Sequence, residues 1–307
     1  MNPSVPFDAV VIGGGAAGLS AALSLGRACR RTLLASAGPP RNAPAEAAHN
    51  VFTRDGTPPA ELVRLGLAQL EPYGIEVRSE AVVDARAHAG RGFTLTFEGG
   101  DTVDARRLVL ATGVEDVLPG LPGLAALWGH TVFHCPYCHG WEVRDRPLAV
   151  FGRGADAVHM VTLMRGWTRD LVLFTDGPAG LDEPQRAAMA RHGVTVHEEA
   201  VERLEGHGDR LEAVVLAGGG RVERAGMLLR PPQRLRSDLA HRLGCPLSDD
   251  GRVVADAFGR TPVPGVFVAG DAGPNMQSVM VAAATGSMAA AMLNHELLEE
   301  EFGASNG

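Results

Sequence analysis

Apolar residues in this chain fall into two kinds of run: short continuous ones that end at glycines, and alternating ones separated by glycine turns. Residues 7–12 are apolar apart from Asp8 and rich in β-branched side chains, and they lead straight into Gly13-Gly14-Gly15-Ala16-Ala17-Gly18 and a helically spaced pattern over 19–28. That order predicts a buried strand, a glycine turn and a helix. A second strand is predicted at 31–35, ending at Ser36. The polar loop that follows, 38–57, carries Arg41, Asn42, His49 and Asn50, and loops of that length inside a domain tend to be functional. Thr57 reads as an N-cap, with Pro58 and Pro59 in the first turn of an amphipathic helix over 60–70. From 75 to 110 the period changes to two, which predicts a small β-meander with turns at 90–92 and at Gly99-Gly100. The meander returns to a buried strand ending in Ala111-Thr112-Gly113, and Pro119, Gly120, Pro122 and Gly123 mark a linker.

The strand, turn and helix order then recurs. Residues 147–151 precede Gly152-Arg153-Gly154-Ala155-Asp156-Ala157 and an apolar pattern over 159–164, and another strand is predicted at 170–174. The last third holds a buried strand ending in Gly270-Asp271 and an alanine-rich helix over 277–293. Strands alternating with helices in this way predict an α/β fold with parallel sheets.

Composition narrows the function classes. A chain of 307 residues that is 45% hydrophobic can bury a full core and suggests about two domains. The net charge of -8, with no long Lys/Arg run, argues against nucleic acid and anionic membrane surfaces as partners. The first apolar stretch, 9–25, is broken by glycines, has no basic segment before it and follows Asp8, so it matches neither a signal peptide nor a membrane span, and a cytoplasmic location is expected. The cysteines are Cys29, Cys135, Cys138 and Cys245, too scattered for a secreted disulfide framework. Cys29 and Cys245 are expected to be small buried hydrophobes.

Two features carry chemistry. The spacing Gly13-x-Gly15-x-x-Gly18 between a strand and a helix suits a pyrophosphate, because the glycines let the backbone approach and the helix N-terminus offers free N–H groups. The acid expected to hold a ribose after the second strand is replaced by Ser36. The weaker Gly152-x-Gly154-x-x-Ala157 repeats the motif, but no arginines follow Phe174 to meet a 2′-phosphate, and Asp176 carries the wrong sign. The second feature is His134-Cys135-Pro136-Tyr137-Cys138-His139-Gly140, whose paired thiols can cycle between dithiol and disulfide. By itself this stretch admits a zinc ligand pair, a glutaredoxin-like site or a flavin-linked disulfide. Zinc would need a second ligand pair, and His192 with His197 is the only candidate, far away in sequence.

The set Gly13-x-Gly15-x-x-Gly18, Ala111-Thr112-Gly113, Cys135-x-x-Cys138, Gly152-x-Gly154-x-x-Ala157 and Gly270-Asp271, in that order, resembles the low-molecular-weight thioredoxin reductases over essentially the whole chain. The resemblance implies a two-dinucleotide-binding-domain flavoprotein with a discontinuous FAD domain, 1–116 and 233–307, around an inserted NAD(P)H-type domain, 117–232, that carries the cysteines. It implies FAD held by Gly13, Gly15, Ala16, Ala17, Gly18, Ser36, Arg41, Asn42, Asn50, Thr112, Gly113, Gly270, Asp271, Gln277 and Ser278, no metal, and a homodimer. It also implies that Cys138 lies against the flavin and Cys135 exchanges with substrate.

Three positions depart from the reductases. His139 stands where they carry an acid, the arginine cluster after Phe174 is missing, and Met276 precedes Gln277 where an arginine is usual. With the Arg41-Asn42 and His49-Asn50 loop, these departures resemble the dithiol oxidases of the gliotoxin, holomycin and romidepsin type, the bacterial dithiolopyrrolone member above all. The expected activity is oxidation of a small-molecule dithiol to its disulfide through Cys135 and Cys138, with His139 as base and oxygen as acceptor. The alternatives are an NAD(P)H-dependent disulfide reductase and a flavin redox sensor without catalysis.

Overall fold

The apolar run at the start is strand β1 (Phe7–Ile12). Val10 and Ile12 pack into one core while Ala9 and Val11 pack into another on the opposite face, so the strand reads as continuously apolar from Ala9 on because both of its faces are covered. Helix α1 (Ala16–Arg27) follows, then β2 (Thr32–Ala35), α2 (Pro59–Ala68), β3 (Glu76–Arg78), β4 (Val82–Ala87), β5 (Phe93–Phe97) and β6 (Thr102–Leu110). This computed structural model describes residues 6–88 and 92–304, so 90 and 91 of the expected 90–92 turn lie outside the described residues.

The chain divides into two compact units: Met1–Arg41, Pro58–Glu115 and Gln233–Gly307 make the first, and Asn42–Thr57 with Asp116–Pro232 the second. In the first, the sheet runs β3-β2-β1-β6-β5-β4, and the strand Val266–Val268 pairs with β6. β3, β2, β1, β6 and Val266–Val268 are mutually parallel, and β4 and β5 extend the sheet as an antiparallel hairpin on β6. The predicted meander therefore begins later than expected: its first segment is β3, which joins the parallel part through β2. Each fully buried leucine here, such as Leu33 or Leu34, contributes about 2 kcal/mol of apolar burial.

Three local expectations differ from what forms. Thr57 pairs with Ala48 in an isolated bridge, so the N-cap of α2 is Pro58, which needs no N–H of its own at that place. Cys29 is exposed, in a left-handed conformation (φ 59) that turns the chain from α1 toward β2, whereas Cys245 is buried and its thiol is pushed up by burial. The C-terminal helix spans Val279–Ala304, well past 293. Its polar-looking end is held because Leu297 is fully buried and Glu296, Glu300 and Glu301 pair with Arg260, Arg107 and Arg106. Hydrogen bonds from Arg30 and Arg106 hold the Glu301 carboxyl at about 2. Among the described residues no helix is long and apolar enough to cross a membrane.

The second unit is built on a five-stranded sheet in the order Thr195–His197, Leu171–Phe174, Leu148–Phe151, Gly226–Leu229, Val132–Phe133, all neighbours parallel. Helices Gly154–Met164 and Glu183–Arg191 belong to it, the latter opened by a capping box between Asp182 and Gln185. A three-stranded antiparallel sheet, Val201–His207, Arg210–Leu216 and Arg221–Glu223, completes the unit. The loop 42–57 groups with this unit and not, as the expected 1–116 boundary had it, with the first: Pro44 is packed so closely on Gly129 that a Cβ there would overlap it.

Candidate active site

The edge strand Val132–Phe133 ends one residue before the disulfide stretch. Cys135 is the N-cap of a single helical turn, Pro136–His139, with Pro136 preset for the first helical position. The motif thus does open a helical turn, as a glutaredoxin-like site would, but inside a larger α/β unit. The N–H groups of Cys138 and His139 donate to the Cys135 carbonyl at 3.2 and 3.3 Å. This brings the two Cα atoms to 5.3 Å, and the cysteines are joined as a disulfide. Tyr137 points outward, 62% exposed, edge-on to Trp167 at 5.5 Å.

His139 is half-buried. Its ring stacks on Phe133 at 5.4 Å, and Nε2 lies 3.1 Å from the Gly129 carbonyl oxygen. A carbonyl only accepts, so Nε2 carries the proton and Nδ1 keeps its lone pair. Nδ1 is buried and has no hydrogen-bond partner. Burial pushes the His139 pKa below the ordinary histidine value, against the Gly129 hydrogen bond and the Glu142 charge, which raise it. Gly129 can present its carbonyl there because its φ is +85, a conformation glycine adopts without strain. The loop 42–57 adds His49, with Nε2 3.5 Å from Glu142 and Nδ1 3.7 Å from Asp55, whose other oxygen accepts the Asn50 N–H at 2.6 Å. Glu142 is a site-flanking residue that no local sequence signal marks.

A neutral base held below its usual pKa keeps working in mild acid. The sign follows: the depressed folded pKa means that neutral His139 contributes stability above about pH 6.5, and that this contribution is lost as pH falls through the lower folded value. The acid limb of kcat/KM is expected below about 6.5 and disappears in His139→Gln. A limb at or above that value in wild type refutes the assignment.

In the first unit, Gly13-Gly14-Gly15, Thr112-Gly113 and Gly270-Asp271 follow the carboxyl ends of β1, β6 and Val266–Val268, the crevice where open parallel sheets bind ligands. Gly18 allows α1 to close on the turn, since a Cβ there would overlap the Gly13 carbonyl oxygen. A Cβ on Gly14 would overlap Ser36, which places Ser36 directly behind the turn, whereas one on Gly15 or Gly113 would meet nothing within 4 Å. Ala16 and Ala17 begin α1, and its N-cap Gly15 provides no side-chain hydrogen bond. Arg41 Nη1 donates to Asp271 Oδ2 at 2.9 Å and to Gln277 Oε1 at 2.7 Å, while Ser278 caps the C-terminal helix by accepting the Val281 N–H at 3.1 Å. Open backbone positions around an uncapped helix start fit a pyrophosphate, and the acid at the strand end fits a sugar or ribitol hydroxyl. Asn42 and Asn50 stand with the disulfide unit. Gln233 and Arg252, which sequence reasoning missed, join Gln277 and Asp271 through hydrogen bonds.

At the second glycine turn Ala157 is fully buried at the third position, but the backbone differs from the first turn: Gly154 has φ +59 where Gly15 has φ -77. No arginine directly follows Phe174 in sequence, but Arg153, from the turn itself, donates to the Thr175 and Asp176 carbonyls and lies 3.4 Å from the Asp176 carboxylate. The Gly154 N–H donates to Ala179 at 2.8 Å.

A discontinuous dinucleotide cradle and an inserted unit with a Cys-x-x-Cys disulfide define a flavin-dependent disulfide oxidoreductase. Residues 7–286 match the family model for pyridine nucleotide-disulphide oxidoreductases. The chain is 32% identical over 319 residues to thioredoxin reductase sirT of Leptosphaeria maculans, covering 98% of this chain and 97% of the relative. Among solved structures, HlmI matches with a TM-score of 0.93 and 39% identity over 99% of this chain and 96% of its own. An oxidoreductase from Agrobacterium tumefaciens matches with 0.90 and 36%, over 96% and 99%. The chain belongs to the pyridine nucleotide-disulphide oxidoreductase family and is an FAD-binding enzyme of the thioredoxin reductase-like type. The relatives bear out the thioredoxin reductase-like resemblance.

Proposed function

We propose that this enzyme is an FAD-dependent dithiol oxidase that closes an intramolecular disulfide in a small-molecule dithiol of the dithiolopyrrolone type, in antibiotic biosynthesis, with oxygen as acceptor. The observation that carries the reading is the second glycine turn, where the chain uses its own groups on the positions a pyridine nucleotide would need. The Gly154 N–H is given to Ala179, and the Arg153 guanidinium is committed to Thr175 and Asp176. Electrons then come from the thiol substrate. A homodimer in the cytoplasm is the assembly and place we propose, with neither nucleic acid nor membrane among its partners.

His139 Nδ1 takes a proton from the first substrate thiol. The thiolate attacks Cys135, the Cys135–Cys138 bond breaks, and Cys138 leaves as thiolate. The second substrate thiol loses its proton and attacks the substrate sulfur of the mixed disulfide, releasing the cyclic disulfide and Cys135 as thiolate. Two electrons and two protons have left the substrate. The Cys135 and Cys138 thiolates would return to the disulfide by giving two electrons to FAD, which the first-unit residues above would hold and which would pass them to oxygen as peroxide.

Flavin absorbance followed without oxygen tests the direction. Bleaching by a small dithiol such as dithiothreitol, with peroxide formed on admitting air, is expected, and little bleaching by NADPH or NADH. Rapid bleaching by either nucleotide overturns the reading in favour of a disulfide reductase, which the Gly152-x-Gly154-x-x-Ala157 motif at the start of the helix Gly154–Met164 supports as the second possibility.

A further inference from the structure

Arg252 is only 9% exposed, and its hydrogen bonds go to neutral oxygens: Nη1 to the Asp271 carbonyl at 3.3 Å and Nη2 to Gln233 Oε1. Among the described residues no carboxylate lies within salt-bridge distance of it: the Asp271 carboxylate is taken by Arg41, and Asp250, the acid that feels its charge, is exposed and held by Ser248 at 2.5 Å. A buried guanidinium whose acid partner is solvent-exposed and out of contact is only partly compensated, which leaves it able to serve an anion in the working enzyme.

The contacts show how that charge is directed. Gln233 and Gln277 form a reciprocal amide pair, Gln277 Nε2 donating to Gln233 Oε1 at 2.8 Å and Gln233 Nε2 to Gln277 Oε1 at 3.2 Å. Arg41 also donates to Gln277 Oε1, so the Gln277 amide is fixed from both sides. Gln277 precedes Ser278, the cap of the helix Val279–Ala304, whose N-terminal end carries a positive partial charge. A second positive charge would ordinarily be unfavourable beside such an end, and the two together make a place that favours negative charge.

We propose that Arg252 is a positioning residue for the flavin: acting through Gln233 and Gln277, it makes this end of the cradle electropositive and so favours the anionic reduced cofactor. This compensates for Met276, which stands where an arginine is usual in the resembling reductases. The proposal rests on FAD occupying the first-unit cradle; it does not depend on which substrate delivers the electrons.

The test is the flavin midpoint potential, measured on the FAD-loaded protein by dithionite titration against a reference dye, with no thiol or nucleotide present. Arg252→Met is expected to lower the ratio of reduced to oxidised flavin at fixed potential at least tenfold, a fall of about 30 mV for this two-electron couple. Arg252→Lys should stay within about threefold of wild type. Gln233→Glu, which neutralises the guanidinium without removing it, should move the potential in the same direction as Arg252→Met and serves as the decisive variant if Arg252→Met does not retain FAD. A wild-type potential in Arg252→Met, or in Gln233→Glu when that is the readable variant, overturns the proposal. The dithiol oxidase reading can fail by nucleotide bleaching while this result stands.

Discussion

Cys138→Ser is expected to retain FAD and lose turnover by at least about a thousandfold, with Cys135→Ser equally inactive. A serine hydroxyl forms no S–O analogue of the disulfide under these conditions, so the two-electron store is lost entirely rather than weakened. Both cysteines lie in the second unit, on a turn whose backbone is held by the Cys135 and Pro136 carbonyls, whereas Gly13, Gly18, Asp271 and Gln277 belong to the first. The protein should therefore stay yellow. Flavin content and dithiol-dependent oxygen uptake, measured on the same preparation, check both halves, and oxygen uptake above a tenth of wild type in either variant removes the disulfide from the mechanism. The same pair of measurements speaks to the sensor alternative, which predicts no dithiol turnover in wild type either.

Gly286→Val should have the largest effect on the fold itself. Gly286 is buried in the C-terminal helix against the start of α1, where a Cβ would overlap the Ala17 carbonyl oxygen. The helices touch there at backbone level, and the Ser24–Ser287 hydrogen bond at 3.0 Å lies along the same seam. Because the obstacle is backbone, it cannot rotate away, and the helices must separate; we expect a loss of about 3 kcal/mol or more. Ala17 is also part of the pyrophosphate turn, so the displacement should release FAD at lower temperature than in wild type. Thermal release of flavin fluorescence reads this directly, with the exposed Ala284→Ser as a control expected to behave as wild type. Unchanged release in Gly286→Val would mean that the two helices do not pack as described.

Much of this enzyme is visible in its residue order. Strand β1, the glycine turn and α1 are local: a β-branched run, a turn that only glycines permit, and a helix pattern specify one another within thirty positions. The Cys-x-x-Cys pair is legible for the same reason, since three-residue spacing nearly guarantees that the sulfurs can meet. The end of the C-terminal helix was harder to read, because Glu296, Glu300 and Glu301 look like a solvated tail until Arg260, Arg107 and Arg106, distant in sequence, are placed beside them. Loop 42–57 misled for a similar reason. It follows first-unit residues in sequence, but its packing partner Gly129 and Glu142, 3.5 Å from His49, belong to the second unit.

The sequence by itself determined the class: two glycine turns, a strand-end Gly-Asp and a disulfide motif in a fixed order are local patterns, and each is set by backbone sterics within a few residues. Only the tertiary structure decided the states of the functional groups. Whether His139 is solvated or buried, which of its nitrogens holds the proton, and where Arg153 and Arg252 direct their guanidinium groups are settled by groups such as Gly129, Thr175 and Gln233 that chain folding brings together. Burial and hydrogen-bond partners set protonation and charge, and neither is written in the spacing of residues along the chain.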